Sequence, residues 1–323
     1  MLELRQNVIL KKYSNYKIGG PARFFFEAGS AEELAWAVRE AKKRRLKIFI
    51  LGAGTNLLIS DRGWRGLVLK PNINFLERND SEVKVGAGAL MSQLLDFAAE
   101  NELSGLEWAG GLPGTLGGAI RGNAGCFGGE IKNSVKSVQS LDMKELAVIE
   151  RSADKCGFGY RDSIFKRKDS AEIILSAILH LRKGDKEEIT KRIMEKIAYR
   201  RRVHPLEYPN VGSIFKNVPL SSIHKKGSRE HGEALKNLKL QFCGTQFSVK
   251  SDPFPVISAA KLISAAGLRG VSFGGAMISP KHPNFIVNVL DAKASDVKNL
   301  INLIKKEVHG KFSIKLKEEI MEI

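Results

Sequence analysis

Three short stretches carry side chains suited to chemistry on a charged substrate. Gly159-Tyr160-Arg161-Asp162-Ser163-Ile164-Phe165-Lys166 sets a guanidinium beside an aromatic ring and hydroxyls. A planar guanidinium grips a carboxylate through two parallel N–H bonds, which a lysine ammonium cannot do. The competing use of Arg161 is an ion pair with Asp162 or another neighbour. Gly212-Ser213-Ile214-Phe215-Lys216-Asn217 puts a serine next to a glycine, where a substrate can approach closely, with Lys216 and Asn217 as further polar contacts. No Gly-x-Ser-x-Gly elbow surrounds it, which disfavours a hydrolase nucleophile. A helix-cap or turn serine is the alternative. The third stretch, Leu316-Lys317-Glu318-Glu319-Ile320, holds two carboxylates. Strand alternation would put Lys317 and Glu319 on one side and Leu316, Glu318 and Ile320 on the other. Glutamates near a terminus are usually solvated, and the residues alone do not make Glu319 catalytic.

Two glycine loops could hold an anion near these groups. Gly52-Ala53-Gly54-Thr55-Asn56 directly follows a short apolar run, and glycines there let backbone N–H groups close in on a phosphate. The third glycine of a dinucleotide fingerprint is replaced by Leu57, and no GxxxxGK[ST] pattern occurs. A tight turn without a ligand is the plain alternative. The second loop runs Gly110-Gly111-Leu112-Pro113-Gly114-Thr115-Leu116-Gly117-Gly118 and then Gly122-Asn123-Ala124-Gly125. So many glycines cost conformational entropy and bury little apolar area. Their expected reason is a ligand, a diphosphate with a flat ring, that touches the backbone.

The elements that must position these loops follow from periodicity. A helix is expected from Ala31 to Lys42, with Ser30 as N-cap and Glu33 in the capping-box position. Leu46 to Leu51 reads as a buried strand and Val83 to Val85 as another, the latter leading through Gly86-Ala87-Gly88 into an amphipathic stretch from Met91 to Glu100. Ser134 to Val148 and Glu172 to Leu181 read as strands, and Lys186 to Arg202 as a charged helix. Later come a helix at Ala259 to Ala266, a strand at Asn284 to Val289, and a closing helix from Ala294 to His309 capped by Gly310.

Composition narrows the classes. The chain has 323 residues, enough for two or three domains, and no apolar run long enough to span a membrane. The first residues show no secretory h-region, and Cys126, Cys156 and Cys243 are too scattered for a disulfide framework or a metal site. A reduced cytoplasmic protein without metal is expected. The net charge of +17 attracts polyanions. No nucleic-acid motif accompanies it, so small phosphorylated ligands are the better partners. Clusters such as Lys42-Lys43-Arg44-Arg45 and Arg200-Arg201-Arg202 read as solvated helix ends.

The order Tyr16-Lys17-Ile18-Gly19-Gly20-Pro21-Ala22, then Gly52 to Leu58, then Gly111 to Glu130, resembles the FAD-binding half of the UDP-N-acetylenolpyruvoylglucosamine reductases. The likeness runs from Tyr16 to Glu319. It implies an α+β fold: a two-lobed FAD-binding domain of the vanillyl-alcohol-oxidase type (residues 1–70 and 71–204), a substrate domain (205–315) and a tail (316–323) returning to the active site. It implies non-covalent FAD held by Gly52, Ala53, Gly54, Thr55, Asn56 and Leu57 and by Pro113, Gly114, Thr115, Gly117, Gly118, Asn123, Ala124 and Gly125. By the same resemblance Arg161 meets the substrate carboxylate, Ser213 donates a proton, Glu319 is the catalytic glutamate, and Tyr160, Lys216 and Asn217 contact substrate. Lys317 and Glu318 depart from the family's Leu-Glu-Pro-Glu-Val tail, which leaves Glu318 as a rival to Glu319. The implied reaction is NADPH-dependent reduction of UDP-N-acetylglucosamine enolpyruvate for peptidoglycan synthesis by a cytoplasmic monomer that needs neither nucleic acid nor membrane.

Two features stand outside the resemblance. About forty residues, Val218 to Ser258, separate segments that the family joins within a few, which argues for added structure or disorder. Phe242, Phe247 and Phe254-Pro255-Val256 would anchor an extra hairpin. The chain also lacks the tyrosine-bearing loop of one subclass and so looks like the shorter, second one. Cys126, inside the flavin loop, leaves a covalently tethered oxidase as the rival enzyme. A basic nucleic-acid-binding protein is the rival from another class.

Overall fold

The computed structural model describes residues 2–167, 169–223, 239–242, 244–250 and 254–323; the side chains of 239–242, hence that of Phe242, and all of Cys243 lie outside the described residues. The chain forms two compact units. One comprises Met1–Leu10, Pro21–Thr55 and Gly63–Arg202, and the other comprises Lys11–Gly20, Asn56–Arg62 and Val203–Ile323.

The first unit holds two sheets. In one, strands Arg5–Ile9, Pro21–Ala28, Trp64–Pro71 and Ile48–Ile50 lie in that order, the first pairing antiparallel and the other two parallel. Helix α1 (Ala31–Lys43) carries the chain from Pro21–Ala28 across to Ile48–Ile50, and Trp64–Pro71 pairs in parallel with both from between them. Ser30 has extended backbone and its hydroxyl accepts from Glu33 N at 3.2 Å. The Glu33 carboxylate accepts from Gly29 N at 2.6 Å, one residue upstream of the expected capping-box donor. Leu34, Ala37, Val38 and Ala41 are fully buried along one face, against Phe24, Phe26, Leu67 and Leu69. Each large side chain so buried contributes about 1.5–3 kcal/mol.

The second sheet is antiparallel, in the order Val148–Ser152, Val135–Asp142, Glu172–His180, Glu82–Gly86, Leu76–Asn79. Helices α2 (Met91–Glu100) and α3 (Leu116–Arg121) and the inner turns of α4 (Lys186–Val203) share its core through Leu94, Leu95, Ile120 and Ile193. The single strand expected from Ser134 to Val148 is two strands joined by a turn. The Asp142 carboxylate accepts from Lys144 N at 2.6 Å and Glu145 N at 3.1 Å, and Leu146 takes φ 57°. Those two bonds hold the Asp142 carboxyl below its usual range.

The second unit is built round helices α5 (Ala259–Ala265) and α6 (Ala294–Phe312). Gly310 does not end α6. The helix runs on to Phe312, which is 4% exposed and packs edge-on to Phe247 at 5.4 Å, before Ser313 takes the left-handed cap at φ 55°. Burying that ring outweighs the roughly 1 kcal/mol cost of a mid-helix glycine. At the other end of α6, Asp61 accepts from Ala294 N at 2.7 Å and Ser295 N at 3.2 Å, which ties Asn56–Arg62 to this unit. Residues Leu57–Leu58 also pair in parallel with Met321–Glu322. Tyr16 is fully buried, donates its hydroxyl to Ile286 O at 2.8 Å, and is held protonated by that burial.

The described part of the extra segment is structured. Val218–Pro219, Val256–Ile257, Thr245–Lys250 and Lys239–Phe242 form a four-stranded sheet in that order. Phe247 (1% exposed) and Val249 (7%) enter the unit's core, so the expected phenylalanine anchor is present at Phe247.

Candidate active site

In the first unit the two glycine loops face each other. A Cβ on Gly52 would lie 3.1 Å from Thr115 Oγ1, and one on Gly114 would lie 3.2 Å from Thr55 Oγ1. Gly54 (φ 66°) and Gly114 (φ 122°) occupy conformations that side chains rarely adopt. Among the described residues, the backbone N–H groups of Gly52, Ala53, Gly54 and Thr55 meet no acceptor, and neither do those of Gly114 and Thr115. Backbone donors without partners in a tight turn form an anion nest. Six such groups on two facing loops fit the diphosphate of FAD.

The other expected cofactor residues divide into two kinds. Pro113 and Gly118 are exposed and Gly114 is half-buried, open to a ligand. Gly117 instead lets α3 approach the turn after Glu82–Gly86: its Cβ would lie 3.1 Å from both the Cβ and the carbonyl oxygen of Ala87. Asn123 is fully buried at φ 40°, and its amide already has protein partners, donating to Gly159 O at 2.9 Å and accepting from Lys132 N at 3.3 Å. Ala124 is tied into α3 through Ala119 O at 2.8 Å. Asn56 and Leu57 continue the first loop into the second unit, where Leu57 is buried and Asn56 is exposed.

Asn123 thereby connects the glycine loop to the turn that carries Arg161. Gly159 and Asp162 exchange backbone hydrogen bonds at 2.9 and 3.2 Å around Tyr160 and Arg161. Arg161 stands at the position where such turns ask for glycine, with φ 55°. Strain of this kind costs about 1–3 kcal/mol and persists where the surroundings over-determine it. Arg161 Nη2 donates to Gly125 O at 2.8 Å, Lys166 Nζ donates to Arg161 O at 2.7 Å, and the guanidinium lies 5.1 Å from the Tyr160 ring. Ser163 is buried and donates to Arg121 O at 2.8 Å; burial lowers the Arg121 pKa.

Arg200 is not the solvated helix-end cation expected from the sequence. It is half-buried, with Nε donating to Gly110 O at 2.8 Å and Nη2 to Cys126 Sγ at 2.9 Å. The orphan carbonyls of a glycine loop draw it inward. Cys156 is buried, and burial pushes its thiol up to about 11.

In the second unit, Ser213 and Glu319 come together. Gly212 takes φ 80° with no atom within 4 Å of its absent Cβ, so its conformation alone calls for glycine. Two buried asparagines frame the turn. Asn210 accepts from Gly212 N at 3.0 Å, and Asn284 both accepts from Phe215 N at 3.0 Å and donates to Phe215 O at 2.8 Å. The tail runs antiparallel beside it: Lys216 N donates to Lys317 O at 2.9 Å and Glu319 N donates to Ile214 O at 2.8 Å. Asn56 Nδ2 donates to Glu319 O at 3.1 Å and Asn56 O accepts from Met321 N at 3.1 Å. Glu318 forms an ion pair with Lys305, and Glu318 and Glu319 are both half-buried. Asn217 spends its amide oxygen on Ala259 N at 3.2 Å, a cap for α5. Asn210 and Asn284 carry no motif of their own, and their role shows only once the turn is seen.

His282 belongs to the turn that precedes Asn284. Its ring packs against Phe285 at 4.7 Å and His204 at 5.4 Å, and burial pushes its pKa down to about 4. Among the described residues no group of three or more His, Cys, Asp or Glu side chains could hold a metal, and no helix is long and apolar enough to cross a membrane.

Residues 204–323 match the family model described as UDP-N-acetylenolpyruvoylglucosamine reductase, C-terminal domain, and residues 22–145 match the one described as FAD binding domain. The UDP-N-acetylenolpyruvoylglucosamine reductase of Carboxydothermus hydrogenoformans is 39% identical over 318 residues, covering 98% of this chain and 92% of the relative. That of Clostridioides difficile is 37% identical over 314 residues, covering 96% and 90%. The crystal structure of the Thermus caldophilus reductase superimposes with a TM-score of 0.77 at 30% identity, covering 100% of this chain and 99% of the other. The α+β architecture and the FAD-binding domain that the resemblance implied are thus both found, and the chain belongs to the UDP-N-acetylenolpyruvoylglucosamine reductase family.

Proposed function

We propose that this chain reduces UDP-N-acetylglucosamine enolpyruvate to UDP-N-acetylmuramate with NADPH as electron donor, and that Arg161, Ser213 and Glu319 carry the chemistry. Bound FAD supplies the two-electron transfer between donor and substrate. The facing loops offer its diphosphate the unspent N–H groups of Gly52, Ala53, Gly54 and Thr55 and of Gly114 and Thr115. An enol ether accepts an electron pair poorly unless charge can flow into its carboxylate. Arg161 is suited to hold that carboxylate in a two-pronged grip. Glu319 donates a hydrogen bond to the charge that develops there, a role in which one donor is worth about 3–4 kcal/mol. Ser213 gives its proton to the carbon next to the carboxylate, and Tyr160 and Lys216 line the substrate.

The observation that most supports these roles is the pairing that lays Glu319 beside the Ser213 turn while Glu318 is tied to Lys305. It favours Glu319 over Glu318 as the working carboxyl. Among the described residues the Ser213 hydroxyl has no hydrogen-bond partner, as befits a group awaiting a substrate. The division into lobes 1–70 and 71–204, a substrate domain 205–315 and a returning tail 316–323 belongs to the same proposal, as do a monomeric state and a cytoplasmic setting. The substrate and donor are small phosphorylated molecules, which the charge of +17 attracts.

The test is anaerobic absorbance spectroscopy on the FAD-loaded protein. NADPH should bleach the flavin band and the enolpyruvyl ether should restore it. Ser213→Ala should bleach normally and recover at least about a hundredfold more slowly. Equal loss of both half-reactions in that variant would make Ser213 structural, and a wild type that never recovers would remove this substrate.

A further inference from the structure

In the second unit the tail reaches Glu319 with little regular structure to hold it. Among the described residues, 314–320 belong to no strand, and a bridge between Phe215 and Glu318 sets the tail against the Ser213 turn. The hydrogen bonds of that bridge belong to the residues on either side, Lys216 N to Lys317 O and Glu319 N to Ile214 O. Phe215 and Glu318 are thus a non-hydrogen-bonded pair, the arrangement that brings facing residues closest. Each needs another tie. For Phe215 it is Asn284, which accepts from its N–H and donates to its carbonyl. Among the described residues the Glu318 N–H meets no acceptor, and its carboxylate is held by Lys305 of α6.

Lys305 is a fixed post for that carboxylate. It lies next to Ile304 and one turn from Ile301 and Val308, all of them buried, and Asp61 caps the start of the same helix. An ion pair in open solvent is worth little. This one joins side chains that are 40% and 24% exposed, and its acidic member directly precedes Glu319. Proline, with no N–H and a fixed φ, stands in the family's tail where this chain has Glu318. Here a side chain anchored to α6 limits the backbone instead. A carboxyl group that must meet a charge developing on the substrate loses rate steeply when displaced by about 1 Å.

We propose that Lys305 is a positioning residue for the reduction: through Glu318 it fixes the tail so that Glu319 is held in register with the Ser213 turn. The proposal rests on the reductase reading, which makes Glu319 the hydrogen-bond donor to the developing charge. Lys305 and Glu318 touch no reacting atom in this account. They act as a unit, and only on the half-reaction that uses Glu319.

Two readouts on the FAD-loaded protein test it. One is flavin recovery by the enolpyruvyl ether after bleaching by NADPH. The other is hydrogen exchange, read by mass spectrometry on peptides covering residues 212–217 and 313–323, which hold the Lys216 and Glu319 N–H groups. Lys305→Met keeps the apolar stem; exchange should quicken about fivefold and recovery slow about tenfold, with bleaching unchanged. Glu318→Gln should do the same, and the double variant should be no worse than either single one. Lys305→Arg should restore both readouts. Unchanged exchange in both single variants would overturn the tie, and faster exchange with wild-type recovery would overturn the positioning. Recovery that moves in opposite directions in Lys305→Met and Glu318→Gln would trace the effect to charge beside Glu319, and would also overturn it. Glu318→Gln is nearly isosteric and decides the matter should Lys305→Met not fold. If the wild type bleaches yet never recovers, the reductase reading falls, and exchange alone decides whether Lys305 holds the tail.

Discussion

The two glycine loops look alike as sequence and differ in what the glycines are for. In Gly52–Thr55 the backbone N–H groups are unspent among the described residues, and Gly54 is needed for its left-handed φ of 66°. In Gly110–Gly118 several glycines serve contact with the protein itself. A Cβ on Gly110 would sit 2.6 Å from Ile193 O, one on Gly111 2.9 Å from Arg200 Cδ, and one on Gly117 3.1 Å from Ala87. At Gly114 and Gly118 the nearest atom to a Cβ is a threonine hydroxyl, at 3.2 and 3.5 Å. Glycine density therefore marks close approach, and the approaching partner is as often a helix as a cofactor.

Substitutions can break this distinction. The largest effect is expected from Gly54→Val, because a β-branched residue at positive φ would distort the donor nest. FAD affinity should fall about tenfold to a hundredfold, read as the flavin-to-protein absorbance ratio after gel filtration. Full retention would reduce the first loop to a simple turn. Gly110→Val should act through packing against α4 and lower stability by about 3 kcal/mol in denaturant melts, with the FAD dissociation constant unchanged. An affinity loss larger than the stability loss would erase the contrast between the loops.

Acid sharpens the comparison by reaching the second unit instead. His282 has a folded pKa of about 4 against an ordinary 6.5, so its neutral form is the one the fold holds. Stability is full above pH 6.5 and is lost as pH falls toward 4, because the unfolded chain then binds a proton that the native chain refuses. Between pH 7 and pH 5 the loss should be about 2 kcal/mol. Thermal melts of His282→Gln should show a flatter pH profile than wild type over that span. A smaller effect, about 1 kcal/mol, is expected for Gly212→Ala, where open space leaves only the cost of φ 80°. If kcat falls more than stability does, the turn is positioning Ser213 as well as closing.

Much of the frame was legible in the residues. The cap at Ser30 and the apolar spacing through Ala41 define α1 to within a residue, and Met91–Glu100 is the helix expected. Misreadings arose where one distant contact outweighed a local rule. Gly310 looked like a stop, but the pocket for Phe312 is built by Phe247, far away in the sequence. The break after Asp142 depends on one carboxylate folding back, with neither glycine nor proline to announce it. At the candidate site the motifs gave the residue types. They gave no sign that Asn123 and Asn217 would spend their amides on the protein, or that Asn210 and Asn284 would hold the Ser213 turn.

The pairing of Leu57–Leu58 with Met321–Glu322 sets an order of events during synthesis. The first glycine loop leaves the ribosome early, yet the backbone oxygen that Asn56 Nδ2 reaches belongs to a residue 263 positions later. At about 5–20 residues per second, that interval lasts about 13–50 seconds. Throughout it the downstream end of the loop has no partner from the tail, so a nascent chain cannot hold this segment in its finished form. The first glycine loop matures last although it is made among the first, and saturating the ribosome-bound chain with FAD should not hasten it.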